Sequence, residues 1–346
     1  MVLYVSLGLF VLFAVGVFYF VQSGVQLPEG ADEIINHTVN QPIPQLVKGQ
    51  TSLAKSGELD IWYERIRPDG ESRGTVLLVM GHNSTSMLWS AHFYQPFVDQ
   101  GYEVIRYDNR DVGLSSWVRK WDRKNPYSLE DMARDGIAVL DDAGVNKAHV
   151  IGASMGGMIA QRMAISHDDR IESLTSIMST GYMMDPEIAP VPKWFAQNFV
   201  RFGIRYLMTG NIKGGPKFFV AILQTLRGNG PYHIDVKGAS ETMLYETQKR
   251  RGFNKRAIYQ QGKAIEVSGS RLEELSKLKT RTLIVHGKAD PLIIFDHAEK
   301  YAAVMPHADK LFIEGMGHDI PLIYLDQVHK AIFKNVGITK AEKSLV

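Results

Sequence analysis

Thr75-Val76-Leu77-Leu78-Val79-Met80 is an unbroken run of six residues without a charge, rich in β-branched side chains. Successive side chains of a strand point to opposite faces, so a strand that is apolar throughout must be covered on both sides. Such strands belong to parallel sheets with helices on each face. The neighbouring sequence repeats the pattern. Leu59–Tyr63, Tyr102–Tyr107 and Ala148–Ile151 read as further strands, with helical spacing over Ser90–Gln100 and Leu129–Ala143 between them. Strands alternating with helices from about Thr51 to Thr180 imply βαβ units and an α/β fold. With 45% apolar and 22% charged residues the chain is not a disordered one. A net charge of +2 supplies no global field for nucleic acid. The absence of cysteine excludes disulfides, a thiolate nucleophile and any Cys-ligated metal.

The alternation breaks near Tyr182. From Pro186 to about Gly262 aromatic, Met and basic residues recur at helical spacing with no buried strand. Thr282–His286 and Lys310–Ile313 then restore the strand pattern, and a helix follows near Leu325–Asn335. The expected organisation is a core over 51–184 and 263–337, a helical cap over 185–262 and a polar tail over 338–346. Residues 23–50, polar and interrupted by Pro42 and Pro44, read as a linker. Met1 to Gln22 contains no charged side chain, and about 20 apolar residues suffice to cross a bilayer. The segment therefore reads as a transmembrane anchor. A cleaved signal peptide would need a basic region ahead of the run and a small-x-small cleavage site, which Ser23-Gly24-Val25 does not supply. Glu29, Asp32 and Glu33 follow the run, and Lys48 is the first cation after it. That distribution favours export of the main domain, into the periplasm in a Gram-negative cell.

Gly152-Ala153-Ser154-Met155-Gly156 fits G-x-S-x-G between the strand ending at Ile151 and a helical run over Met158–Ala164. In that setting a strained turn lifts the serine hydroxyl clear of the sheet. A Gly-rich turn with a helix-capping serine is the plainer alternative. A serine needs a base to take its proton. Of eleven histidines, His318 lies in Gly315-Met316-Gly317-His318, directly after the strand at Lys310–Ile313, where active sites of open parallel sheets gather. Asp290, after the preceding strand, is placed to orient the imidazole; a turn aspartate before Pro291 is its rival reading. Asp319 adjoins His318 and is badly placed to reach the far ring nitrogen. The backbone N–H groups of Met155 and His82 are candidate oxyanion donors. His82 stands in Met80-Gly81-His82-Asn83 at the end of an earlier strand, where Gly81 permits the turn.

Met80 through Ser179 resembles the α/β-hydrolase family that includes aclacinomycin methylesterase. The shared residues are Met80-Gly81 and Asn83, Arg106-Tyr107-Asp108, Arg110-Asp111 with Gly113 and Ser115, Tyr127, Leu129, Asp135 and Asp141. Ala148-His149-Val150 and Gly152 with Ser154-Met155-Gly156 complete the set. The resemblance implies an α/β-hydrolase fold with a mostly parallel twisted sheet and flanking helices. It also implies catalytic roles for Ser154, Asp290 and His318, and an oxyanion hole bordered by Gly81, His82 and Met155. This chain carries His82 where that esterase has glycine, so the methylesterase substrate is not carried over. Asp108 to Ser115 reads as a structural turn.

The expected activity is hydrolysis of a carboxylic ester through an acyl-enzyme, with no metal or cofactor. The same triad would also serve C–C bond hydrolysis or perhydrolysis, or a lysophospholipase acting at a lipid surface. A non-enzymatic ligand receptor or scaffold keeping the fold is the alternative from another class. Enzymes of this fold that attack with aspartate are set apart by Ser154 at the turn. From Lys193 to Lys263 there are thirteen Lys or Arg against three acidic residues. That excess suits anionic headgroups or an anionic substrate, or else a solvated helix face. Trp194, Phe195, Phe199, Phe202, Tyr206, Phe218 and Phe219 in the same stretch are expected to pack the cap on the core.

Overall fold

In the computed structural model, which describes residues 19–338, one eight-stranded sheet organises the chain. Its strands are β1 (Gln50–Ser56), β2 (Leu59–Ile66), β3 (Thr75–Val79), β4 (Glu103–Tyr107), β5 (Ala148–Ala153), β6 (Ile171–Ile177), β7 (Arg281–Gly287) and β8 (Asp309–Ile313). They lie in the order β1-β2-β4-β3-β5-β6-β7-β8. β1 pairs antiparallel with β2 and β2 with β4; every later pairing is parallel.

The apolar run at Thr75 becomes β3, buried along its whole length. Its side chains divide by parity. Leu77 and Val79 join Ile105 and Val150 on one face, under helices α3 (Leu129–Asp142) and α4 (Met155–Ser166). Val76 and Leu78 join Val104 and Ile151 on the other, under α2 (Ala91–Asp99) and the C-terminal α11 (Leu322–Val336). Burying one such Val or Leu contributes roughly 1.5–3 kcal/mol, so apolar contacts on both faces hold the sheet between helical layers. α3 starts at a capping box in which Ser128 and Asp131 satisfy each other's amides, which fixes where the chain leaves the preceding loop.

Between β6 and β7 the chain runs through four helices of eleven or more residues: α5 (Lys193–Tyr206), α6 (Gly214–Leu226), α7 (Val236–Lys249) and α8 (Ala257–Val267). α9 (Leu272–Lys277) leads into β7, and α10 (Phe295–Val304) joins β7 to β8. The segment expected as a linker carries a helix of its own, α1 (Ala31–Thr38), because Ala31 and Ile35 are buried against Val220 of α6 and Val236 and Ala239 of α7. Much of the basic charge of this region is spent internally. Arg250 bonds Asp108 and Glu246 and lies 4.5 Å over the Trp62 ring, and Lys217 pairs with Asp32 at 2.7 Å. Arg251 sits 4.1 Å over the Trp117 ring.

The transmembrane helix expected over residues 1–22 requires correction. No helix among the described residues is long and apolar enough to cross a membrane. Residues 1–18 of that segment lie outside the described residues. Helical structure is described only from residue 19 to 22, and it ends before Gly24 at φ 93°. Phe20 contacts the protein: the Arg201 guanidinium lies 4.5 Å over its ring, and Arg201 Nε donates to its carbonyl at 2.6 Å. The membrane as a partner through this helix, and the extracytoplasmic placement drawn from it, therefore lack support.

Candidate active site

Ser154 occupies the turn between β5 and α4 at φ 56° and ψ −123°, a conformation that L-residues rarely adopt. The two glycines of G-x-S-x-G make that turn possible. A Cβ on Gly152 would fall 2.1 Å from the Gly156 carbonyl oxygen, and one on Gly156 2.1 Å from that of Val79. Ser154 N–H donates to Ile177 O at 2.9 Å, and its carbonyl accepts from Ser179 Oγ at 2.8 Å. The strained residue is thus held from β6 as well as from its own helix.

The structure brings the three distant residues together. His318 Nε2 lies 2.9 Å from Ser154 Oγ, and His318 Nδ1 lies 2.7 Å from Asp290 Oδ2. All three stand after the C-terminal ends of parallel strands: Ser154 after β5, Asp290 after β7, His318 after β8. Asp290 is 4% exposed and His318 8% exposed. Asp290 Oδ1 accepts the amides of Leu292 at 2.8 Å and Ile293 at 2.9 Å, which turns Oδ2 toward the imidazole. His286 backs the carboxylate. Its Nε2 donates to Ile293 O at 2.8 Å and lies 3.5 Å from Asp290 Oδ2, and burial holds its imidazole below the usual histidine range.

The loop after β3 crosses directly over the serine. A Cβ on Gly81 would come 3.1 Å from Ser154 Cβ and 3.6 Å from its Oγ. The turn following β4 fixes that loop: Asn109 Nδ2 donates to Met80 O at 2.8 Å, and Asp108 Oδ1 accepts from Ser86 N–H at 2.9 Å. α8 fixes it from above. His82 Nε2 donates to Ile258 O at 2.8 Å, and Asn83 N–H donates to Gln261 Oε1 at 2.6 Å. Burial lowers the proton affinity of His82, whose ring ties the loop to α8. Its backbone N–H finds no acceptor among the described residues. Met155 N–H opens α4 and, like every first-turn amide, has no acceptor within its helix.

Several neighbours carried no signal of their own in the sequence. Ser179, His286 and Gln261 reach the site from the loop after β6, from β7 and from α8. Asp319, badly placed for the His318 ring, instead accepts the Tyr232 hydroxyl at 2.8 Å. Tyr232, 87 positions away in the chain, carried no sequence signal that joins it to Asp319.

Residues 74–209 match the family described as the alpha/beta hydrolase fold. The chain has the α/β-hydrolase fold. A curated relative, rhodomycin D methylesterase DnrP of Streptomyces peucetius, is 28% identical over 300 residues, covering 82% of this chain and 96% of that protein. An esterase from Exiguobacterium antarcticum superposes with a TM-score of 0.62 at 19% identity, over 84% of this chain and all (100%) of that chain. A membrane phospholipase A superposes with a TM-score of 0.59 at 19% identity, over 97% of this chain and 99% of that one. At such identities the two structures speak for the fold alone.

Proposed function

We propose that this carboxylic ester hydrolase works through Ser154, His318 and Asp290 by way of an acyl-enzyme. The observation that carries the reading is the continuous hydrogen-bonded line from Ser154 Oγ through the imidazole to Asp290, at 2.9 and 2.7 Å. His318 Nε2 takes the serine proton as Oγ attacks the ester carbonyl. Asp290 keeps Nδ1 protonated and stabilises the imidazolium. The amides of His82 and Met155 receive the charge that develops on the carbonyl oxygen. His318 then delivers its proton to the leaving alcohol. Water, deprotonated by the same nitrogen, attacks the acyl carbon and frees Ser154.

Turnover of soluble esters of graded acyl length tests this. Wild-type protein should release the alcohol, and Ser154→Ala should lose activity by roughly 10⁴-fold or more. Ligand binding without turnover in the wild type would instead support a receptor. A second reading of the substrate, a lipid ester, draws on the exposed apolar side chains around the end of α5. Val200 is 55%, Leu207 47% and Met208 77% exposed. It predicts faster turnover of long-chain esters in vesicles than of short soluble ones, and the reverse order would remove it.

A further inference from the structure

The connection between α6 and α7, residues 227–235, runs against the loop that carries His318. His318 N–H donates to Leu226 O at 2.8 Å, and Gly230 N–H donates to Gly315 O at 2.8 Å. No side chain fits between the two backbones. A Cβ on Gly228 would fall 2.2 Å from Gly315 O, and one on Gly317 2.2 Å from Gly228 N. Tyr232 closes the contact. Its phenol oxygen accepts Gly228 N–H at 2.8 Å and Gly317 N–H at 3.3 Å, and its hydroxyl donates to Asp319 Oδ1 at 2.8 Å. That is the full capacity of a hydroxyl, one donor and two acceptor sites.

We propose that Tyr232, with Asp319, is a positioning residue for His318: its phenol latches the cap connection onto the loop on both sides of the histidine. Gly317 and Asp319 flank His318 in the chain, so one oxygen holds both neighbours of the base. The ring is itself held in place. Arg227 Nε donates to Tyr232 O at 2.8 Å with its guanidinium 5.0 Å over the ring, and Tyr324 meets the ring edge-on at 5.7 Å. The cap cannot lift at this connection without taking the Leu226 bond and the phenol from the His318 loop. The proposal rests on His318 being the general base.

Asp319 adds a charge to this geometry. The groups that face it are the Tyr232 hydroxyl from the cap, His318 beside it, Gly317 N–H and, behind the imidazole, Asp290. Burial pushes the Asp319 carboxyl up to about 6, while the bond from Tyr232 and the nearby imidazole pull the other way. Once ionised, it favours the imidazolium over the neutral ring.

Tyr232→Phe in the full chain removes the phenol oxygen and keeps the ring. The expected result is a fall of about tenfold or more in kcat and in the rate of fluorophosphonate labelling, with KM within about twofold, in protein that circular dichroism shows folded. A merely structural role would lower the unfolding temperature and leave kcat and labelling of the folded enzyme unchanged; that result overturns the proposal. Asp319→Asn provides a second measurement should the first variant not fold. Loss of the neighbouring anion should move the acid limb of kcat/KM to lower pH, and a limb that stays or moves upward overturns the proposal. His318→Ala separates the two levels. If it keeps turnover, the base assignment falls and the latch with it; if it is inactive while Tyr232→Phe is unimpaired, only the latch falls.

Discussion

In the proposed mechanism the Asp290 carboxylate decides the tautomer of His318. Oδ1 is committed to the amides of Leu292 and Ile293, and only Oδ2 faces His318 Nδ1. In Asp290→Asn the two amides still require an oxygen, so the new –NH₂ must point at the imidazole. A donor there forces Nδ1 to accept and puts the ring proton on Nε2, where it can no longer take the proton of Ser154. On the account above, kcat should fall on the order of 10⁴-fold with the fold intact. Steady-state turnover checks the rate, and imidazole NMR checks the tautomer. A loss below about tenfold would show that another residue orients His318. Ser154 illustrates the same dependence on surroundings. Its backbone strain at φ 56° persists because β6 and the two glycines hold the turn.

At the scale of elements, strands rich in apolar residues announced themselves, and the candidate site followed because G-x-S-x-G comes after the buried β5 and Gly317-His318 after the short edge strand β8. Two strands did not. β1 is an edge strand with only Ala54 buried, so its sequence Gln-Thr-Ser-Leu-Ala-Lys-Ser shows no apolar face. β6 is buried but hydroxyl-rich. Ser173, Thr175 and Ser176 are tolerated inside because His149, Asn335 and Gln161 bond them, partners that lie far away in the chain. α1 was hidden by its polar outer face and shows its purpose only against α6 and α7. The expected cap–core boundary at 262/263 falls inside α8, the helix that steadies His82 and Asn83. The cap's hold on the His318 loop was invisible for the same reason: Tyr232 and Asp319 meet across 87 positions.

Several imidazoles are buried in the molecule. Burial lowers the proton affinity of His82, His286, His297 and His329, and brings His149 from 6.5 down to about 4. A histidine depressed on folding contributes stability that is present above its unfolded value and lost as pH falls toward the folded one. For His149 that window runs from 6.5 to about 4. The thermal midpoint should therefore drop across this interval, and drop less steeply in His149→Gln; a flat midpoint would contradict the burial argument. In the proposed mechanism the sheet, its two helical layers and the cap together present the Ser154 hydroxyl as the nucleophile. Mass spectrometry of peptides after fluorophosphonate treatment reads that directly. A single phosphonyl adduct on Ser154, absent in protein carrying His318→Ala, is the expected result; an adduct on any other side chain, or an unmodified Ser154 in active enzyme, would contradict the proposed mechanism.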